Sequence, residues 1–215
     1  MDEKVQLGVL VSGGGSNLQA ILDACQDPAY PARVAVVLSN RSDAHGLVRA
    51  REAGVAALAV PSREYSTRAA HEQEIIRQLT PYRVELLVLA GYMRVVTPLL
   101  LGHFQLKRFG LPGVINIHPA DTRAYQGAHG YEFALGLLPQ YPLRLSETQI
   151  TVHFVDAGVD TGAVIQKTAV PVLPGDTLET LRARGLAVEH RVYPEVIRAV
   201  VEGRVTLRGK EALIR

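Results

Sequence analysis

From Gln6 to His118 the chain alternates short β-branched and aliphatic runs with longer stretches of helical periodicity, and this alternation constrains its fold more than any other feature. Strands separated by helices cannot pair as hairpins. Each connection must cross over the sheet, which makes the pairing parallel and places the helices on its faces. The pattern predicts strands at 6–11, 33–38, 56–60, 85–90 and 113–118, with helices at 16–25, 43–53, 67–80 and 97–104. Ser16 and Asp43 open the first two helices with side-chain oxygens suited to capping free amide donors.

After Pro119 the pattern changes. A loop with Gly and Tyr leads to a short helix at 131–138, a Pro-containing connector through Ser146 and a strand at 149–155. The turn 156–162 then predicts that 163–170 pairs antiparallel with its predecessor. An amphipathic helix closes the pattern at 178–202. The fold class expected is α/β, a mostly parallel twisted sheet with helices on both faces and a weak seam near residue 105. With 215 residues and 47% hydrophobic content, one full core is affordable and two equal domains are not.

Charge excludes some functions. Lys and Arg number 23 against 21 Asp and Glu, so no global field recruits nucleic acid. A single cysteine, Cys25, rules out an internal disulfide, and its place inside a helix predicts an inert core thiol. No apolar run approaches the roughly 20 residues that span a bilayer, and no signal-peptide run opens the sequence. A cytoplasmic location is expected.

Two motifs carry chemistry. Gly113-Val-Ile-Asn-Ile-His-Pro119 reads as a strand whose alternation puts Asn116 and His118 on one face, ending at a proline that cannot donate to the ladder. Ligands of open parallel sheets collect at such carboxyl ends. Val9-Leu-Val-Ser-Gly-Gly-Gly-Ser-Asn17 reads as strand, glycine loop and helix start, which suits a phosphate or else a tight turn. Leu18 stands where a dinucleotide fingerprint needs its third glycine, Ser39-Asn40 replaces the ribose-binding acid, and no Gly-Lys-Ser/Thr follows. A single phosphate monoester fits best.

Asp160 suits either a turn or a site, and spacing does not decide between them. His153 is read as a buried, satisfied imidazole rather than a fourth polar group of the site. Zinc held by His118, His129, His153 or Asp160 is conceivable, but no tight Cys/His spacing supports it, so no metal is expected. There is no Gly-x-Ser-x-Gly elbow for acyl-enzyme chemistry.

Together, Ser-Gly-Gly-Gly-Ser-Asn-Leu-Gln-Ala at 12–20, Leu-Ala-Gly-Tyr-Met-Arg at 89–94, Asn-Ile-His-Pro at 116–119 and Asp160 before Thr-Gly resemble the phosphoribosylglycinamide formyltransferase family of folate-dependent enzymes. The resemblance implies one formyltransferase domain over 1–215, with 1–104 binding the phosphate of glycinamide ribonucleotide and 105–215 binding 10-formyltetrahydrofolate. It implies that Gly13, Gly14, Gly15, Ser16 and Asn17 cradle the phosphate and that Glu189 contacts the sugar. Arg68, Met93, Arg94, Val95 and Val96 are implied on the folate side, together with Asn116 and the loop Asp156, Ala157, Gly158, Val159 and Asp160. Asn116, His118 and Asp160 would be catalytic: His118 as general acid, Asn116 as a donor to the developing oxyanion, Asp160 as the group that orients the ring and favours its protonated form. The partners implied are these two small molecules, with no nucleic acid or membrane, and the protein is expected to be a monomer or weak homodimer.

The triad is shared with related enzymes that send the formyl group elsewhere, whereas the glycine loop is what points to the ribonucleotide. Formyl-folate hydrolysis and a phosphate-sensing module remain the alternatives. The chain departs from the family between Ala120 and Gly127, where Asp121-Thr122-Arg123 replaces Leu-Leu-Pro. Arg123 is a candidate for the folate glutamate tail.

Overall fold

In the computed structural model, which describes residues 4–209 and 211–215, the chain runs through β1 (Val5–Val11), α1 (Ser16–Cys25), β2 (Ala32–Ser39), α2 (His45–Glu52), β3 (Ala56–Ala59), α3 (Arg68–Leu79), β4 (Leu86–Leu89) and α4 (Pro98–His103). A two-stranded ribbon follows, β5 (Gln105–Leu106) and β6 (Leu111–Pro112), then β7 (Val114–His118) and α5 (Gly130–Ala134). The chain continues as β8 (Glu147–Phe154), β9 (Val164–Pro171), α6 (Leu178–Val201), β10 (Val205–Arg208) and β11 (Glu211–Ile214).

Nine strands form one sheet in the order β10-β11-β9-β8-β7-β4-β1-β2-β3. Pairing is parallel from β7 through β3 and antiparallel across β7, β8 and β9, as the turn at 156–162 predicts. The sheet is thus mixed and mostly parallel. The chain first winds outward from β1 to β3, then returns through α3 to the other side of β1. The crevice at the carboxyl ends of β1 and β4 is the switch point where such sheets bind ligands.

Burial on both faces explains why the central strands are almost wholly apolar. Leu7, Val9 and Val11 of β1 pack with Leu18 and Ile21 of α1, Leu47 of α2 and Val192 of α6. Leu10 turns the other way, toward Ile75 and Leu79 of α3 and Leu100 of α4. Tyr193 of α6 is fully buried, and its hydroxyl donates to the Leu89 carbonyl at 2.9 Å and the Ile115 carbonyl at 3.2 Å, pinning the ends of β4 and β7 that carry the site.

Several local expectations are corrected. Neither Ser16 nor Asp43 caps its helix. Gly15 occupies the cap position of α1 at φ 72, leaving Ser16 as the first helical residue. Asp43 pairs with Arg41 at 2.8 Å, and α2 is capped by Ala44 without a side-chain bond. The helix expected at 131–138 spans only Gly130–Ala134, because the chain turns through Gly136 at φ 69. The last two strands were not foreseen: most of their side chains are partly or fully exposed, so the apolar alternation that marks a strand is faint. They pair with each other antiparallel and extend the sheet beyond β9. No helix among the described residues is long and apolar enough to cross a membrane. Cys25 is half-buried against the core, and burial pushes its thiol up to about 11, which leaves little thiolate.

Candidate active site

A cavity of about 760 Å³ opens at the carboxyl ends of β1, β4 and β7. Gly13, Gly14, Gly15, Ser16 and Asn17 line one part of it, and Met93, Arg94, Val95 and Val96 another. Asn116, His118, Gly158, Val159, Asp160 and Glu189 line it as well. Arg68, Asp156 and Ala157 do not. Arg68 is exposed at the start of α3, which follows the edge strand β3, far across the sheet order from β7. Asp156 is spent inside its own turn, where Oδ1 accepts from the Gly158 N–H at 3.0 Å and the Thr161 hydroxyl at 2.5 Å.

The glycine loop is shaped by a close helix contact. A Cβ on Gly15 would lie 2.7 Å from the Gly46 Cα, and its positive φ disfavours any side chain. The Gly46 N–H donates to the Gly13 carbonyl at 2.9 Å, and Arg49 Nε donates to the Gly14 carbonyl, also at 2.9 Å. With these carbonyls turned toward α2, the loop is held at the positive end of α1, which suits an anion. Arg41 lines the same cavity.

Segment 93–96 is held at both ends. Ser12 Oγ accepts from the Met93 N–H at 2.8 Å, and the buried carboxylate of Glu72 accepts from the Thr97 N–H at 2.7 Å and from the Thr97 hydroxyl. The segment therefore presents the exposed apolar side chains of Met93 and Val95 on a fixed backbone.

Asn116, His118 and Asp160 come together as the sequence anticipates. Asn116 Nδ2 donates to Asp160 Oδ1 at 3.2 Å, and His118 Nδ1 lies 3.5 Å from Asp160 Oδ2. The Gly127 N–H donates to Asp160 Oδ2 at 2.8 Å, so the rebuilt loop 120–127 still closes on the site. Asp160 sits at φ 52, a left-handed conformation that costs most L-residues about 1–2 kcal/mol and that Asp tolerates better than most. This is a turn aspartate and a site aspartate at once.

His153 departs from its expected role. It is buried, and its Nδ1 meets the Phe154 carbonyl at 2.8 Å, but its Nε2 faces the site, 3.4 Å from Asp160 Oδ1 and 3.3 Å from Asn116 Nδ2. The antiparallel register sets His153 directly across from Asn116, which no reading of one strand alone could supply. His129 also lines the cavity, paired there with Glu132 at 3.0 Å. Among the described residues no group of three or more His, Cys, Asp or Glu side chains is arranged as a metal site.

Asp160 favours the protonated imidazole, as expected, but does not set the net direction. Burial is the largest influence on His118 and holds its imidazole below the ordinary 6.5, while Asp160 and the Tyr125 carbonyl act in the opposite direction without prevailing. Burial alone would raise the Asp160 carboxyl as well. Its hydrogen bond from His153, the charge of His118 and the Gly127 N–H outweigh that and bring it down to about 2.

Residues missed in the sequence include Ser12, Tyr131 and Arg182. Leu178, Arg182, Leu186 and Glu189 all line the cavity from α6, and their helical spacing was a usable signal. Arg123 belongs to no part of the cavity lining: its guanidinium lies 3.6 Å from Glu211 at the C-terminal hairpin.

The family described as formyl transferase matches residues 5–197. The chain is 36% identical over 209 residues to the phosphoribosylglycinamide formyltransferase of Haemophilus influenzae, covering 97% of this chain and 93% of that protein. It is 37% identical over 204 residues to the enzyme of the same name from Escherichia coli, covering 95% and 91%. The crystal structure of glycinamide ribonucleotide transformylase 1 from Symbiobacterium toebii superposes with a TM-score of 0.90 at 45% identity, covering 100% of this chain and 95% of that one. With fold and near full-length similarity in agreement, the chain belongs to the formyl transferase family, alongside the phosphoribosylglycinamide formyltransferases it resembles over nearly its whole length.

Proposed function

We propose that the protein transfers the formyl group of 10-formyltetrahydrofolate to the amine of glycinamide ribonucleotide, a step of purine synthesis, directly and without an enzyme-bound acyl group. The observation that carries this reading is the continuity of one cavity from the glycine loop, past Asn116 and His118, to segment 93–96. The loop and the start of α1 suit the phosphate. Met93 and Val95 offer apolar surface to the folate rings, at about 25 cal/mol per Å² covered. Residues on both sides of position 105 line this cavity, so the two halves act as one unit.

The amine nitrogen bonds to the formyl carbon, charge develops on the formyl oxygen, and the bond to N10 then breaks. The attacking nitrogen loses the proton that N10 gains, so none is consumed. Asn116 gives one amide N–H to Asp160, and the other, which faces His153 Nε2 at 3.3 Å, turns to the oxyanion as it develops. His118, neutral at rest because it is buried, carries its proton on Nδ1 toward Asp160, so that Nε2, which lies 3.1 Å from the Tyr125 carbonyl, has a free lone pair to accept the amine proton and pass it to N10. Asp160 stabilises the imidazolium in transit. Tetrahydrofolate release measured with and without the ribonucleotide tests the reading: release that requires the ribonucleotide supports transfer, and release without it overturns the proposal in favour of hydrolysis.

A further inference from the structure

We infer that Tyr131 is a positioning residue that holds Glu189 as an acceptor for the vicinal hydroxyls of the ribonucleotide sugar, and thereby selects ribose over deoxyribose. The inference rests on the proposed function, including the sugar contact that the family resemblance implies for Glu189, and adds the role of Tyr131, a residue that the sequence did not single out.

Glu189 is 5% exposed, and no Lys or Arg among the described residues pairs with it. A buried carboxylate without a cation must be held by neutral donors. Two are present: the Tyr131 hydroxyl donates to Oε1 at 2.5 Å, and Asn17 Nδ2 donates to Oε2 at 2.6 Å. Three elements are tied at one corner in this way: α1 through Asn17, α5 through Tyr131 and α6 through Glu189. The second half of the Asn17 amide completes the pattern, since its Oδ1 is buried with no hydrogen-bond partner.

Glu189 and Asn17 Oδ1 leave acceptor capacity at this corner, and Arg182, which lines the same cavity and acts on Tyr131 through its charge, makes no ion pair with Glu189. A pair of sugar hydroxyls supplies what Glu189 and Asn17 Oδ1 lack, and the phosphate has its own place at the glycine loop a few residues before Asn17. The fold makes specific room for the tyrosine. A Cβ on Gly185 would lie 2.2 Å from the Tyr131 hydroxyl oxygen, so the ring packs against α6 only because residue 185 is glycine. The phenol is kept protonated, and so a donor, because burial and the neighbouring Glu189 charge raise its pKa far above the ordinary value.

Tyr131→Phe keeps the ring against Gly185 and removes only the hydroxyl, so thermal unfolding should confirm a folded variant before kinetics. For glycinamide ribonucleotide the variant should raise KM by about tenfold, the scale of one hydrogen bond to a charged group, with the folate KM within about twofold. The deciding comparison uses the 2′-deoxy and 3′-deoxy forms of the ribonucleotide. With at least one of them, wild type should already be weakened and Tyr131→Phe should add little, because the lost hydroxyl and the lost phenol act on the same contact. An equal loss for ribose and both deoxy substrates, or an equal rise in both co-substrate KM values, would overturn the role and leave Tyr131 as packing. Absence of ribonucleotide-dependent transfer in the wild type would instead overturn the underlying function, and the inference with it.

Discussion

The Asp160 carboxylate stands 3.5 Å from Nδ1 of His118, yet the imidazole keeps a pKa below its ordinary value. Asp160 also accepts from Asn116, His153 and the Gly127 backbone, so its charge is already spread over other donors. In the proposed reaction the pair would support a charge that arises during turnover rather than one present at rest, as a proton shuttle does and a standing acid does not.

Replacing His118 by Ala should lower turnover by at least about 10²-fold, the lower end for acid–base catalysis. The side chain is buried, so a modest loss of stability is also expected. Near-normal turnover would remove His118 from the proton path.

Asn is the informative replacement for Asp160, because it tolerates the left-handed backbone that most residues do not. Without the carboxylate, burial at His118 is opposed only by the Tyr125 carbonyl, the pKa falls further, and the acid limb of the kcat profile should move to lower pH. Stability carries an independent signature. The Asp160 carboxyl lies at about 2 in the folded chain against an ordinary 3.8, so the unfolded chain binds more protons between these values and stability rises with pH across that window. The advantage of wild type over Asp160→Asn, about 2 kcal/mol, should be complete above pH 4 and vanish as pH falls through 2. Denaturant titrations at several pH values measure it, and a constant difference would contradict the assignment.

Neighbouring glycines should respond differently. A Cβ on Gly14 meets nothing within 4 Å, whereas one on Gly15 collides with Gly46. Gly14→Ala should leave stability within about 0.5 kcal/mol, and Gly15→Ala should cost 1 kcal/mol or more through backbone strain. Gly14→Asp should then raise the ribonucleotide KM far more than the folate KM, because it sets a carboxylate in the proposed phosphate site. Equal effects on the two substrates would mean general loop damage.

Arg123→Ala should leave the folate KM unchanged. Its partner is Glu211, both side chains are more than 70% exposed, and such a pair contributes about 0–1 kcal/mol. A folate KM that rises in the variant and recovers at high salt would return Arg123 to the folate tail.

Much of the molecule was legible in one dimension, because the interactions that mark it are local. The β-branched runs and the alternation that puts Asn116 beside His118 depend on residues a few positions apart. The glycine loop was legible for the same reason, although its cap was not: whether Ser16 or Gly15 ends the turn depends on how closely α2 approaches.

The sequence by itself therefore determined the α/β class, the crossover winding of β1 to β4 and the residue types at the chemical centre. Only the tertiary structure decided that Asp160 is both turn and partner to His118, that His153 faces the same carboxylate from the antiparallel strand, and that Tyr131 reaches Glu189 across 58 positions. These contacts are set by strand register and by the packing of α5 on α6, and such long-range relations leave no periodic trace in the chain. The direction of the His118 pKa was hidden for the same reason. A neighbouring charge can be inferred from a motif, but desolvation depends on everything that packs around the ring.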